Sequence, residues 1–517
     1  MAKYKHYDYS QGKFIPINFN KQILPGTFEY TLHYLIDNEI DLSVFDLRYN
    51  NDETGAPAYD PAVLLKIVLY AYSRGITSSR KIEQCCRENV VFMALSADTQ
   101  PHFTTIADFI STLDQEIIKL FLEVLLICDE MGLIGKEMFA VDGCKLPSNA
   151  AKEWSGTKEE LTKKKEKMEK AIKQIIARHR EMDKTEANEP IIEQEKQYAA
   201  TLREKVKKIK SWLDDNDDKP GKTGKPRKSN VTDNESAKMK TSKGVIQGYD
   251  GVAMVDSKHQ VIVHAAAFGE PQEHGLLEPM VEGTRENFSS IGHEQDVFEK
   301  TKLTADSGFH TEKNMQMIME QGIDAYVADN KFRQRDPRFA NVDRYKERTR
   351  KENAEFLGTS CNLYRPKHFT FSENKDYCIC PAGKRLHRNG GNVLINGRRA
   401  IKFRGSKMNC VPCGQRAKCM RDPNQTETRQ VAYFTGATEH KTETFTQKMR
   451  RKIDSLSGRL IYNRRMATVE PVFANVRAAL GLDRFTLRGK TKVNIQWLMY
   501  CTVHNLLKVH RYGPGFA

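Results

Sequence analysis

The segment GVIQGYDGVAMVDSKHQVIVHAAAF (244–268) reads as two strands, GVIQGYDGVAMVD and QVIVHAAAF, joined by a turn around Ser257–His259. A helical stretch follows, HGLLEPMVEGTRENF (274–288), and then KLTADSG (302–308), a strand ending at Asp306. TEKNMQMIMEQG (311–322) reads as a helix stopped by Gly322, and DAYVA (324–328) as another strand. Upstream, MFAVDGCKLP (138–147) holds a short apolar run ended by Asp142.

In chain order these pieces give β-β-β-α-β-α-β, the skeleton of an α/β, ribonuclease H-like mixed sheet. Its expected first part spans residues 136–330 and its C-terminal part 441–517. Residues 1–135 read as a helical domain. Pro61 opens PAVLLKIVLYAYSRG (61–75), with Val63, Ile67 and Tyr70 on one face and Gly75 as the stop. TSSRKIEQCCREN (77–89) follows, with Ser78 or Ser79 as N-cap, and then STLDQEIIKLFLEVLLICDEMGL (111–133). Short helices with tight turns suit either a helix-turn-helix or a plain bundle.

Between the first strand and residue 230 the pattern changes. Leu161, Met168, Ile175 and Met182 recur at heptad spacing. After a break at Asn188–Pro190, Ile192, Tyr198, Leu202, Val206, Ile209 and Leu213 continue at helical spacing. The expectation is a helical-hairpin insertion at 155–230 with a coiled-coil seam. Its end, DDNDDKPGKTGKPRKSN (214–230), reads as a flexible linker. Residues 331–440 read as a basic, cysteine-rich insertion. An apolar helix, NIQWLMYCTVHNLLKVH (494–510), closes the chain.

The 517 residues carry a formal charge of +15. Residues 1–150 hold 13 Lys/Arg against 20 Asp/Glu, residues 375–430 hold 13 against 3, and residues 441–517 hold 15 against 4. The basic excess therefore lies in the last third, and a polyanion surface is expected there. No stretch approaches the ~18 apolar residues of a membrane span. The opening MAKYKHYDYSQGKF lacks an apolar signal core, so the expected location is the cytoplasm.

Three acidic residues stand out by position: Asp142 and Asp306 at strand ends, and Glu470 within the basic helix YNRRMATVEPVFANVR (462–477). Three carboxylates at one sheet edge suit two hard divalent cations, which take oxygen ligands and leave room for phosphate. An Asp-Gly pair is also ordinary turn chemistry. Asp250, Asp256 and Asp329 are equally acidic and near strand ends, so position alone leaves the choice open.

Ordered blocks along the chain resemble bacterial insertion-sequence transposases of the DDE class. PAVLLKIVLYAYSRGITSSRKIEQCCREN and PHFTTIADF resemble the N-terminal helical domain of that family. FAVDGCKL, LTADSGFHTEKN and YNRRMATVEPVFANVRAALGLDRFTLRGKTKV resemble the blocks carrying its two aspartates and glutamate. The resemblance implies a ribonuclease H-like catalytic domain with Asp142, Asp306 and Glu470 holding Mg²⁺ or Mn²⁺. The family's tyrosine, arginine and lysine around the glutamate fall on Tyr462, Arg465 and Arg477. Two departures show: four residues separate Arg465 from Glu470 where three are usual, and Arg477 replaces lysine. Arginine still suits phosphate. Glu470, Phe473 and Arg477 are expected on one helical face, with Pro471 as a possible kink.

Eleven cysteines are too few for a disulfide scaffold of this length, yet Cys378, Cys380, Cys410, Cys413 and Cys419 fall close together. The Cys410-x-x-Cys413-Gly unit fits a zinc knuckle, and Cys419 can add a third thiolate. The fourth is Cys378 or Cys380. Strand geometry does not choose between them, and the resemblance favours Cys380. No phosphate-loop motif is present, so nothing supports an ATP-driven reaction.

The resemblance thus implies a DNA transposase. It would bind double-stranded terminal inverted repeats, cut them by two-metal hydrolysis and join the ends to target DNA, as a homodimer in the active complex at the nucleoid. Two rivals differ in class: a metal-dependent nuclease without strand transfer, and a non-catalytic zinc-bearing DNA-binding protein.

Overall fold

A computed structural model describes residues 17–48, 57–182, 189–221, 226–241, 244–339, 363–395, 398–435 and 443–516. Six helices open the chain: α1 (Phe28–Asn38), α2 (Pro61–Ser73), α3 (Ser79–Glu88), α4 (Val90–Leu95), α5 (Phe103–Thr112) and α6 (Gln115–Glu130). Asp60 caps α2 through Ala62 N–H, and proline occupies the first turn, where its missing N–H costs nothing. Leu64 through Tyr72 are all buried, so α2 is a central helix and not a one-faced one. Ser78 precedes α3 but makes no side-chain cap.

β1 (Met138–Pro147) then leads to β2 (Ser155–Gly156) and to the long helices α7 (Lys158–Met182) and α8 (Glu189–Asp215). Leu161, Ile172, Ile175, Ala199, Leu202, Ile209 and Trp212 are buried along their contact. Tyr198, expected in the seam, is 56% exposed, and its neighbour Ala199 is inside instead. The Met182 and Ile192 side chains and Asn188 lie outside the described residues. Part of the supposed linker is ordered: Lys219 pairs with Arg227, and β3 (Ser229–Asn230) pairs with β2.

Five further strands complete the main sheet, with two helices between them: β4 (Ala237–Thr241), β5 (Gly244–Asp256), β6 (Ile262–Phe268), α9 (Leu277–Ser290), β7 (Lys302–Ala305), α10 (Glu312–Glu320) and β8 (Ala325–Val327). β4 was not anticipated. β5 pairs antiparallel with β1 on one edge and with β4 and β6 on the other, while β7 and β8 run parallel to β1. The chain is therefore mixed α/β, with sheet order β6-β5-β1-β7-β8 and β4 beside β6 on β5.

The C-terminal helices are α11 (Phe445–Asp454), α12 (Leu456–Ala474) and α13 (Lys490–Tyr512). α12 packs on β1, β7 and β8. α13 closes the open edge of β6. Asn494 exchanges hydrogen bonds with Ala267 N–H and C=O, and Asn505 does the same with Ile262. The spacing matches: eleven helical residues and five strand residues each span about 16 Å. Two asparagines thus satisfy backbone groups that a bare edge would expose. Trp497, fully buried, donates to Val252 O at 3.1 Å. α13 also packs on α1, α2, α5 and α6, so the N-terminal helices and the sheet share one compact unit, 1–329 with 449–517.

Residues 330–448 form a second compact unit. It holds an antiparallel sheet, β9 (Thr370–Phe371), β10 (Tyr377–Ile379), β11 (Arg385–Ile395), β12 (Arg398–Arg404) and β13 (Gln430–Phe434), in the order β13-β12-β11-β10-β9. Its core contains Phe369, Cys378, Leu386, Ile401, Phe403 and Val431.

Candidate functional site

Asp142 does not end β1. The strand runs five residues further, paired with β5, and Asp142 lies opposite Ala253. On the parallel side, however, the β1–β7 ladder stops at Val141–Ala305. Asp142 and Asp306 are each the next residue beyond that pair. Neighbouring parallel strands therefore bring the two aspartates side by side.

Arg465 of α12 reaches this point. Its Nη1 donates to Asp142 Oδ2 at 2.7 Å, and Asp142 Oδ1 accepts the Gly143 N–H. The Arg465 guanidinium also lies over the Tyr462 ring, 5.8 Å from its centroid. Asp306 Oδ1 accepts the Gly308 N–H at 2.8 Å. Burial raises the Asp142 carboxyl, and Arg465 opposes that shift. Burial, then the charges of Asp142 and Glu273, push Asp306 up to about 6.

Two more carboxyls belong to this cluster, and sequence reasoning did not assign them. Asp250 sits on β5 opposite Lys145, fully buried. Its carboxyl packs on Gly143, where a methyl group would lie 2.8 Å from Oδ1. Glu273 precedes α9, and its Oε1 accepts from Lys145 at 2.9 Å. Burial, then the charge of Glu273, drive Asp250 up to about 8. The signal available in sequence was the β1–β5 pairing, which sets Lys145 opposite Asp250; nothing local marks Glu273.

Glu470 is exposed on α12, and Arg477 is exposed in the π-turn Asn475–Ala479 that follows it. Pro471 lies within α12 and does not end it. The expected shared face divides: Phe473 stacks on Trp497 at 6.3 Å, while the Arg477 charge acts on Cys144. The other acids serve the fold. Asp256 accepts N–H groups from Gly135, Lys136 and Lys258, and Asp329 pairs with Arg450 at 3.0 Å. Among the described residues, no three His, Cys, Asp or Glu side chains stand ready-arranged around a metal position. Asp142 is held by Arg465 instead.

In the second unit, Cys380, Cys410, Cys413 and Cys419 line one small cavity of about 30 Å³. Cys380 opens a tight turn in which Lys384 N–H reaches its Sγ, with Gly383 at φ +72°. Burial, partly offset by Arg429, raises the Cys419 thiol, and Cys410, Cys380 and Cys413 raise it further. Cys378 points into the sheet core, fully buried. Cys361 lies outside the described residues. An open groove of about 1550 Å³ on the same unit is bordered by Arg365, Lys367, Arg404, Lys418, Arg421 and Arg429, with Glu427 as its acid.

No helix among the described residues is long and apolar enough to cross a membrane. No curated protein matches the chain. Residues 379–510 match a family model described as a transposase DDE domain, and residues 17–112 match one described as a transposase domain (DUF772). The first match covers the cysteine cluster, Tyr462, Arg465, Glu470 and Arg477; Asp142 and Asp306 lie outside both. Two segments of one chain thus match transposase domains, and together they indicate an insertion-sequence DDE transposase, a class of nucleic-acid-cleaving enzyme.

Proposed function

We propose that Asp142, Asp306 and Glu470 form the catalytic carboxylates of a ribonuclease H-like domain that cuts and joins the ends of its element. The observation that carries this is the placement of Asp142 and Asp306 one step past the same parallel register pair. The sheet order supports the fold assignment, with three antiparallel strands followed by two parallel ones. The helical hairpin and the cysteine-bearing unit are then insertions into that domain, and residues 1–135 are its helical partner.

The donor set is all oxygen, and among the described residues no N–H donor reaches the two buried oxygens of Asp250, so the residues fit Mg²⁺ or Mn²⁺. Such ions, when bound, supply Lewis-acid activation and neutralise developing phosphate charge. Asp142 and Asp306 provide oxygens from adjacent strands, and Glu470 provides a third from α12. Arg465 orients Asp142 and limits its motion. Tyr462 on α12 and Arg477 in the turn after it are the proposed phosphate contacts. Water attacks phosphorus and gives up a proton, the bond to the 3′ oxygen breaks and that oxygen takes up a proton; in the second step the freed 3′-hydroxyl loses its proton and attacks a target phosphodiester, forming a new phosphodiester as the target's own 3′ oxygen leaves and is protonated. Cutting and joining two ends favours a homodimer in the active complex, with the nucleoid in the cytoplasm as the proposed place of work.

The donor type of the four thiols bordering one cavity suits a soft ion, and zinc is the proposed occupant, through Cys380, Cys410, Cys413 and Cys419. The basic groove beside this site is the proposed path for double-stranded DNA of the terminal inverted repeats or the target.

The test is Asp306→Asn protein assayed on inverted-repeat DNA. Cleavage should be abolished with Mg²⁺ while DNA binding persists, because a repulsive charge is removed and the arginines stay. Cutting at the wild-type rate refutes the assignment. Joined products distinguish strand transfer from simple nuclease action.

A further inference from the structure

We propose that Glu273 is a further carboxylate ligand of the divalent-cation site, held for that role by Lys145. The proposal rests on the cation-dependent reading of Asp142 and Asp306. Lys145 Nζ binds Glu273 Oε1, which leaves Oε2 to face the reactive side. That oxygen lies against Gly308. A methyl group there would stand 2.1 Å from Glu273 Oε2 and 3.0 Å from Asp306 Oδ1. Two acceptor oxygens therefore border one small space, which exists because residue 308 has no side chain.

Charge points the same way. Asp142, Asp250, Glu273 and Asp306 act on one another, yet the cations touching them are Lys145 and Arg465. The carboxyls outnumber those cations, and a bound divalent ion would offset the excess. Asp250 supplies the independent observation. It is fully buried beside Gly143 and meets Glu273, and among the described residues no N–H donor reaches either of its oxygens. A buried carboxyl without a donor is costly unless protonated or facing a cation. Oxygen-only donors select a hard ion. Glu273 comes from the loop before α9, so the sheet and the β6–α9 connection deliver it without α12.

The experiment uses the full chain, stripped with EDTA, desalted and titrated with Mn²⁺, with free ion followed by electron paramagnetic resonance. Mn²⁺ favours oxygen over thiolate, so the cysteine site does not compete. Glu273→Gln should weaken Mn²⁺ binding about tenfold or more, as loss of a carboxylate near a metal does. Gly308→Ala, which displaces Oε2 without changing charge, should move affinity in the same direction. Asp306→Asn controls for the underlying reading. If Asp306→Asn weakens Mn²⁺ but Glu273→Gln and Gly308→Ala bind as wild type, the role of Glu273 is overturned and the cation site stands. If all three bind as wild type, both readings fall. Near-ultraviolet circular dichroism reports folding, and should Glu273→Gln fail to fold, unchanged affinity in Gly308→Ala alone overturns the proposal.

Discussion

Replacing Arg465 by methionine tests the link between α12 and the sheet. Arg465 and Asp142 are 11% and 22% exposed at their side chains, and Nη1 stands 2.7 Å from Oδ2. A hydrogen bond to a charged group contributes about 1.5–3 kcal/mol. Breaking a fully buried ion pair costs about 3–5 kcal/mol, because one charge is left without a partner. Partial access of water to Asp142 moves the expected loss to about 2–3 kcal/mol. Arg465 Nε, buried without a partner, already carries part of the desolvation cost, which also argues against the upper figure. The assay is urea unfolding with EDTA present, for the wild type, Arg465→Met, Asp142→Asn and the double variant. Tryptophan fluorescence reports the correct unit, since Trp154, Trp212 and Trp497 all lie in the first one. The coupling energy should be about 2 kcal/mol, within the range for directly bonded groups. Coupling below about 0.5 kcal/mol would refute the claim that this pair fastens α12 to β1.

His504 should make the protein acid-sensitive. Its Nε2 donates to Gln260 O and its Nδ1 accepts from Asn475, while burial lowers its pKa to about 4. The unfolded chain takes up the proton near 6.5 and the folded chain does not. This contribution is thus complete above pH 6.5 and falls away toward pH 4, by up to about 3 kcal/mol; urea unfolding of His504→Gln between pH 7 and 4.5 should show a smaller decline. Cys380→Ser should lower zinc content on metal analysis of purified protein, whereas Cys378→Ser should leave zinc in place and lower stability, since Cys378 is a core side chain. Lys418→Ala and Arg421→Ala should weaken binding to all DNA sequences alike, each reducing the salt slope of log K by about 1; a change in sequence preference measured by competition would contradict a phosphate-only role.

Much of the sheet was legible in the chain. The two strand-forming runs in 244–268 and the apolar runs before Asp142 and Asp306 are local patterns, and burial on one or both faces writes them directly into residue type. The helical hairpin was legible for the same reason, since heptad spacing follows helix geometry. The exchange of Tyr198 for Ala199 shows the limit: spacing gives a face, but packing against α7 decides which neighbour turns inward. β4 and the ordered parts of 214–230 were missed because short strands owe their pairing to β5 and β2, not to their own pattern.

Sequence by itself determined the candidate residues: the aspartates beyond apolar runs, the arginine-rich helix and the grouped thiols. Tertiary structure alone decided which of them meet. Asp142 and Asp306 lie 164 positions apart in the chain, and only the parallel register of β1 and β7 sets them side by side. Asp250 and Asp142 look alike in sequence, yet one is buried against Gly143 and the other is held by Arg465. Glu273 carries no local signal at all. Its place depends on Lys145 from another strand and on the missing side chain of Gly308. Electrostatic environment is a property of what surrounds a charge in space, and that is settled by strand pairing and helix packing.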